Sequence, residues 1–469
     1  MTVTLGFAIT VALLGGRADR LQTWAASAAQ EPIELVRGLS EAELMHLAAA
    51  AAASTILTSR NHPERLGTAL ELYPLSLRGR PAPPLSFSQL ADFPVEALSD
   101  QQRGVLRFLA GQALLAIGDP VAAIDQLRRT PPGSPAFAPA RVLLGIAVLT
   151  PPFSDRVAAA AAFEAAIRET EDTSPAFAEL QAESRRLATL QLARLAYDTG
   201  QFEVADYYYH LIPASAPERT EAAFESAWSL VLRGEMERAL GAIHAARSPR
   251  LLHPDSLELE IVAAAAHLAL CRFEEARVDL DAIERTAEVS VESVRRAAHA
   301  VSEPGAVAHL RRYLGDSERL SPPMREWLFR MPAVAAAIRD GDELMAERAR
   351  LGGMGLPPDG DHAIDGLVQG LSATYEARLD AALQAGLRRM LVTLDRAIAA
   401  RSELMIDLLE RQERLLGQAL AGHTLQPVIA APAPALGENW QIWAFDGEVY
   451  TDELPWYRAE SPAHCSEED

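Results

Sequence analysis

Cys271 follows His267 by four residues, one helical turn, and a thiol beside an imidazole is the smallest apparatus for nucleophilic catalysis. At the end of a buried helix the same pair is a packing contact or half of a disulfide. That second reading is preferred, because nothing else of a hydrolase accompanies it and no G-x-S-x-G elbow occurs. The chain contains no lysine, so all 43 cationic side chains are arginine. This excludes a complete phosphate-binding P-loop, a kinase-type Lys–Glu pair, a Schiff-base lysine and a Ser–Lys dyad. Gly352-Gly353-Met354-Gly355 lacks the strand–turn–helix setting of a nucleotide loop and reads as a linker. The 11 histidines include no zinc-protease motif, and His244 and His253 stand across a loop containing Ser248-Pro249. Asp359, Asp361 and Asp365 do not have calcium-loop spacing and read as an acidic start to a helix. The expectation is a chain with no catalytic residue, no metal and no cofactor, and with no small-molecule ligand.

The bulk properties agree. Over 469 residues the formal charge is −21, which is wrong for a surface that must neutralise phosphates, so nucleic acid is not expected as a partner. Alanine and leucine dominate between short Pro/Gly breaks, and aromatics make up 6%, a composition that favours helix nearly throughout. Asparagine occurs only at Asn61 and Asn439.

Val3 to Leu14 is an apolar run too short to span a bilayer but long enough for a signal segment, and Ala26-Ser27-Ala28 offers a cleavage site. Against this, no basic residue precedes the run, and Arg17, Asp19 and Arg20 follow it, so a buried N-terminal helix is the alternative. No later stretch is apolar enough to cross a membrane, which leaves any membrane association indirect. The two cysteines, Cys271 and Cys465, can pair only if the tail folds back onto the middle of the chain.

The elements read as follows. Residues 1–30 are a possible signal segment. Residues 31–100 form a helical and loop region, in which a capping box at Ser40-x-x-Glu43 opens a helix to about Leu57, and Tyr73 to Pro94 is loop. Residues 101–286 alternate helix, break, helix, with starts at Asp119-Pro120 and Ser174-Pro175; Ser321-Pro322 repeats the pattern further on. Gly200 and Gly234 are 34 residues apart, as are Ala205 and Ala239, and Ala276 follows by 37. Each belongs to a similar phrase, and GDPVAAIDQLRRT from Gly118 is an earlier copy. A period of 34 with helix–turn–helix phrasing is the signature of tetratricopeptide repeats. Leu144-Gly145 through Phe163 is a further candidate, with an insertion at Pro151-Pro152. Residues 287–350 are irregular helices. Residues 362–421 form a long helix whose apolar face runs from Ile364 to Ile398, with a hairpin near Gly386 as the alternative.

In this reading the first helix of each repeat lines a groove, so Leu190, Arg194, Tyr197, Phe224 and Trp228 are candidate anchors for a protein partner. The competing reading makes Phe224 and Trp228 inter-repeat core and Arg194 an ion-paired residue. Residues 422–469 join a Pro/Ala linker to an aromatic tail with Trp440, Trp443, Phe445, Tyr450, Trp456 and Tyr457. Asp446-Gly447 is a β-hairpin turn signal, and so small a hairpin needs to dock on the helical body. The fold class expected is all-α: a tetratricopeptide-like solenoid, a long C-terminal helix and a short hairpin-like tail.

The phrases LAYDTGQFEVADYYYHLIP, AAFESAWSLVLRGEMERALGAIHAARSP and LALCRFEEA, together with the tail WAFDGEVYTDELPWYR before Cys465, resemble envelope tetratricopeptide-repeat proteins of deltaproteobacteria. That family includes repeat lipoproteins of myxobacterial adventurous gliding motility. The resemblance implies a periplasmic or envelope scaffold that binds proteins, and a Cys271–Cys465 bridge. The sequence departs from the lipoprotein members in having no cysteine near its N-terminus. A cytoplasmic tetratricopeptide adaptor or co-chaperone is the alternative.

Overall fold

The computed structural model describes residues 32–41, 44–77, 85–168, 178–246, 256–301, 320–352 and 358–421. The signal segment, Ser174-Pro175, His253, the linker from residue 422, the tail aromatics, the Asp446-Gly447 turn and Cys465 lie outside the described residues. The described chain is all-α: sixteen α-helices, one 3-10 helix and no strand. The first four elements are α1 (Pro32–Glu41), α2 (Met45–Thr58), α3 (Pro63–Leu77) and the 3-10 helix (Leu85–Asp92). Four helices follow: α4 (Asp100–Ala116), α5 (Pro120–Arg128), α6 (Phe137–Leu149) and α7 (Arg156–Arg168). Next come α8 (Ala178–Asp198), α9 (Phe202–His210), α10 (Arg219–Leu232), α11 (Met236–Ala246), α12 (Ser256–Ala269) and α13 (Phe273–Val301). The chain continues through α14 (Pro322–Arg330) and α15 (Pro332–Gly352) to α16 (Pro358–Leu420). Two compact units divide it: residues 1–192 with 332–382, and residues 193–331 with 383–469.

In the first unit the N-terminal helices share a core with α15 and the start of α16, through Leu344, Leu351, Val368 and Tyr375. Helix α2 starts differently from the expected Ser40–Glu43 box. Ser40 lies inside α1, and the N-cap residue of α2 is Leu44, which makes no side-chain cap. Glu347 of α15 does the capping: its carboxylate accepts from the N–H groups of His46 (3.0 Å) and Leu47 (3.2 Å). Within Tyr73 to Pro94, residues 73–77 and 85–92 are helical rather than loop. Helix α3 continues through Pro74 to Leu77, and the 3-10 helix occupies residues 85–92. Tyr73 and Phe87, both buried, meet edge to face at 5.4 Å, and this contact outweighs the local proline signal.

The helix pairs repeat one turn geometry, and the reason is local. Gly118, Gly200 and Gly234 have φ of 85°, 74° and 79°, the left-handed region that glycine enters without strain. Each turn residue donates its N–H to the carbonyl three residues back, and the next residue donates to the carbonyl five back. Those second bonds are Asp119 to Leu114 (2.9 Å), Gln201 to Ala196 (2.9 Å) and Glu235 to Leu230 (2.9 Å). Cys271 closes α12 and α13 in the same way at φ 56°, with Arg272 donating to His267 at 2.8 Å. Five residues after each turn stands a fully buried alanine: Ala123, Ala205, Ala239 and Ala276. Seven before it stands a small residue: Gly111, Ala193, Ala227 and Ala264. The small residues let the paired helices approach closely. The α6/α7 pair follows the pattern with an insertion holding the cis Pro151-Pro152 bond, and a Cβ on Gly145 would lie 2.3 Å from the Phe163 ring.

In the first unit α4 packs on α5, α5 on α6 and α6 on α7; in the second, the helices from α9 to α13 each pack on the next; and first helices also touch one another, α4 with α6 and α10 with α12. This is the contact pattern of stacked hairpins. The long helix is unbroken for 63 residues, and Gly386 lies inside it without a turn. Its buried strip runs through Leu387, Met390 and Leu394 and then continues through Ala397 and Leu408, leaving Ile398 partly in solvent.

Candidate functional site

The second unit brings four of the expected anchors, Arg194, Tyr197, Phe224 and Trp228, onto neighbouring helices, but most of them have partners within the chain. Arg194, in the last two turns of α8, is gripped by two carboxylates from α10. Its Nε donates to both oxygens of Glu225 at 3.0 Å, and its Nη2 to Glu225 Oε1 at 2.7 Å. Nη2 also lies 2.6 Å from Glu221 Oε1. Glu221 and Glu225 are one turn apart, so one helix face presents both. Burial alone would discourage charge on Arg194, but the hydrogen bonds and charge of Glu225, followed by those of Glu221, overcome it and raise the guanidinium above its ordinary value. Burial also raises Glu225, and Arg194 offsets part of that rise.

Tyr209, buried on α9 beside this pair, is likewise pushed up, first by burial and then by Glu225. Tyr197 is half-buried and stacks edge to face on Phe202 at 5.5 Å. Phe224 and Trp228, also half-buried, pack on a core that includes Ala227, Leu240, Ile243, Val262 and Leu270. They therefore serve the α10–α12 interior as well as a surface. Leu190 corrects the groove expectation: it is 2% exposed, and a side chain buried to that extent cannot anchor a partner.

Helices α9 and α10 also hold a polar knot that sequence reasoning missed. Asp206 Oδ1 accepts from Ser226 Oγ at 2.6 Å, and Arg233 Nη1 lies 3.4 Å from Oδ2. His210 Nδ1 is 2.8 Å from the Asp206 carbonyl oxygen and 3.3 Å from Oδ1. Burial raises the Asp206 carboxyl, yet the hydrogen bonds from His210 and Ser226 outweigh it and hold the group below its ordinary value. The bond to Asp206 raises His210 in turn, against the effect of burial. An aspartate on the buried face of a short helix was the available signal, because such a charge needs partners.

His267 Nδ1 lies 2.9 Å from Asp279 Oδ2, and Cys271 is disulfide-bonded, so neither forms a nucleophile–base dyad. Protein-family models, curated proteins and solved structures give no match to this chain. Among the described residues no group of three or more His, Cys, Asp or Glu is placed to hold a metal. Among them, too, no helix is long and apolar enough to cross a membrane.

The first unit holds one further constellation that spacing could not reveal. His46 is 3% exposed; its Nδ1 lies 2.5 Å from the Tyr375 hydroxyl and its Nε2 3.0 Å from Glu343 Oε2. With Glu347 on the backbone of the same turn, this cluster fastens α2 to α15 and α16. The residues are about 300 positions apart in sequence, and no local pattern joins them.

Proposed function

We propose that this chain is a non-enzymatic protein-interaction scaffold of the cell envelope, built as a tetratricopeptide-like solenoid. One observation carries the reading: the same turn recurs at Gly118, Gly200, Gly234 and Cys271, with a small residue seven positions before it and a buried alanine five after. Stacked hairpins of this kind present their first helices as a continuous face, the usual place for a protein partner. In the second unit that face offers Tyr197, Glu221, Trp228 and Leu232. A disulfide-bonded Cys271 and the N-terminal apolar segment with its Ala-x-Ala site support an oxidising compartment outside the cytoplasm. The resemblance to envelope repeat proteins extends the proposal to envelope machinery of the gliding-motility kind. A cytoplasmic co-chaperone would clamp a peptide carboxylate with cationic side chains. The arginine best placed for that, Arg194, is already taken by two glutamates.

Site-specific photocrosslinking in the native host tests the proposal. A crosslinker at Tyr197 or Leu232 is expected to trap one discrete protein, while the same group at Val278 on α13 traps none. No adduct at Tyr197 or Leu232, or equal adducts at all three, would overturn it.

A further inference from the structure

Among the described residues, the end of α16 carries a second face with no partner. While Leu394, Ala397 and Leu408 are fully buried, Ile406, Leu409, Leu416 and Leu420 are exposed by 57%, 52%, 64% and 89%. With Ser402 and Glu413, both exposed, they fall at steps of four, three, four, three and four residues. That 3.5-residue period is the seam of a coiled coil. Its edge is net acidic: Glu403 and Glu410 are exposed beside it and Glu413 stands within it, against one exposed arginine, Arg414, further round the helix. The nearby Arg411 is turned away, donating to Asp407 at 2.8 Å and to the Leu268 carbonyl at 3.2 Å.

Charge decides among the candidate occupants. A second copy in parallel would set Glu413 against Glu413, and an antiparallel copy would bring the edges with Glu403 and Glu410 together. Like charges facing one another disfavour both arrangements. The chain's own segment 422–469 carries nine carboxylates against one arginine, so it meets the same repulsion. An anionic membrane surface is excluded on the same ground.

We propose that this face docks a cationic amphipathic helix, whose aliphatic stripe covers Ile406, Leu409, Leu416 and Leu420. Arginine or lysine side chains of that partner lie opposite Glu413 and along Glu403 and Glu410. This rests on reading the chain as a protein-binding scaffold, and it names the partner's chemistry for a face other than the repeat helices.

The test uses the full chain and a fluorescent synthetic helix of three heptads, with Leu at the seam and Arg at the flanking positions. An analogue carrying Glu at the flanks is the comparison. Anisotropy is expected to show the Arg probe binding at least about tenfold more tightly than the Glu analogue, about 1.4 kcal/mol. The double variant Leu409→Ser, Leu416→Ser should weaken it about tenfold or more. Glu410→Gln with Glu413→Gln should weaken it and flatten its salt dependence, since fewer charge pairs remain to be screened. All four positions are exposed, so the melting temperature should hold. Equal binding of both probes, or binding indifferent to the double serine variant, would overturn the proposal. So would a concentration-dependent dimer abolished by Leu416→Ser, which would make a second copy the occupant. Faster hydrogen exchange across residues 403–420 after truncation at Ala421 would overturn it too, in favour of the chain's own tail. Probe failure alongside a specific Tyr197 crosslink would sink this inference alone and leave the scaffold reading standing.

Discussion

Replacing Arg194 by methionine separates a structural clamp from a ligand anchor. Methionine keeps much of the apolar stem and removes the guanidinium, leaving Glu221 and Glu225 facing one another without it. Breaking a fully buried ion pair by removing one partner costs about 3–5 kcal/mol, whereas an exposed pair contributes about 0–1. Arg194 and Glu225 lie between these limits, with side chains 32% and 21% exposed, and their contact is bidentate. An intermediate loss of about 2 kcal/mol follows. At about 2–4 °C per kcal/mol, the calorimetric transition of the second unit should fall by about 4–8 °C. A double-mutant cycle with Glu225→Gln isolates the pair, and a coupling of about 1 kcal/mol or more is expected. Unchanged stability with coupling near zero would refute the clamp and return Arg194 to the list of partner-binding groups.

Four other outcomes follow from the same geometry. Gly145→Ala should destabilise the α6/α7 pair by about 1–3 kcal/mol in urea unfolding, because the new methyl meets the fully buried Phe163 ring; a neutral result would contradict the close packing. His210 is raised and Asp206 lowered, so their contribution to stability is lost as pH rises through the folded-state value of His210. It is lost again as pH falls through that of Asp206, which places its maximum at roughly pH 4–6.5. His210→Gln should therefore flatten the melting profile between about pH 6 and 8, and an unaltered profile would remove His210 from the knot. Cys271→Gly should stabilise the reduced protein by about 1 kcal/mol, since glycine accepts a positive φ without strain, and destabilise the oxidised one; loss under both conditions would contradict the turn assignment. The intact mass of the protein from its host should show about 28 N-terminal residues removed and two hydrogens regained on reduction, whereas a full-length, fully reduced mass would favour the cytoplasm.

The repeat period could be read in the sequence because its cause is local. A left-handed turn selects glycine at Gly200 and Gly234, and close approach selects Ala205 and Ala239; both constraints leave residues at fixed spacing. The start of α2 was misread because its cap is not local: Glu347 supplies it from 301 residues away. The helical residues 73–77 and 85–92 differ from the expected loop because a proline signal acts on one turn, while the Tyr73–Phe87 contact acts across two elements. On α16 the apolar stripe was legible up to Leu394 but not its change of course. Ile398 and Ala397 fit neighbouring helical strips equally well, and only the packed partner selects Ala397. Arg194 was recognised as important, but pattern alone could not assign it to Glu221 and Glu225 rather than to a ligand.

The most direct measurement of the central claim is hydrogen exchange on the complex with the protein trapped at Tyr197 or Leu232. The account predicts slowed exchange on the first helices of the repeats, at α8 and α10, while α9, α11 and α13 stay unchanged. Protection confined to the second helices, or none at all on binding, would contradict a scaffold that works through its first-helix face.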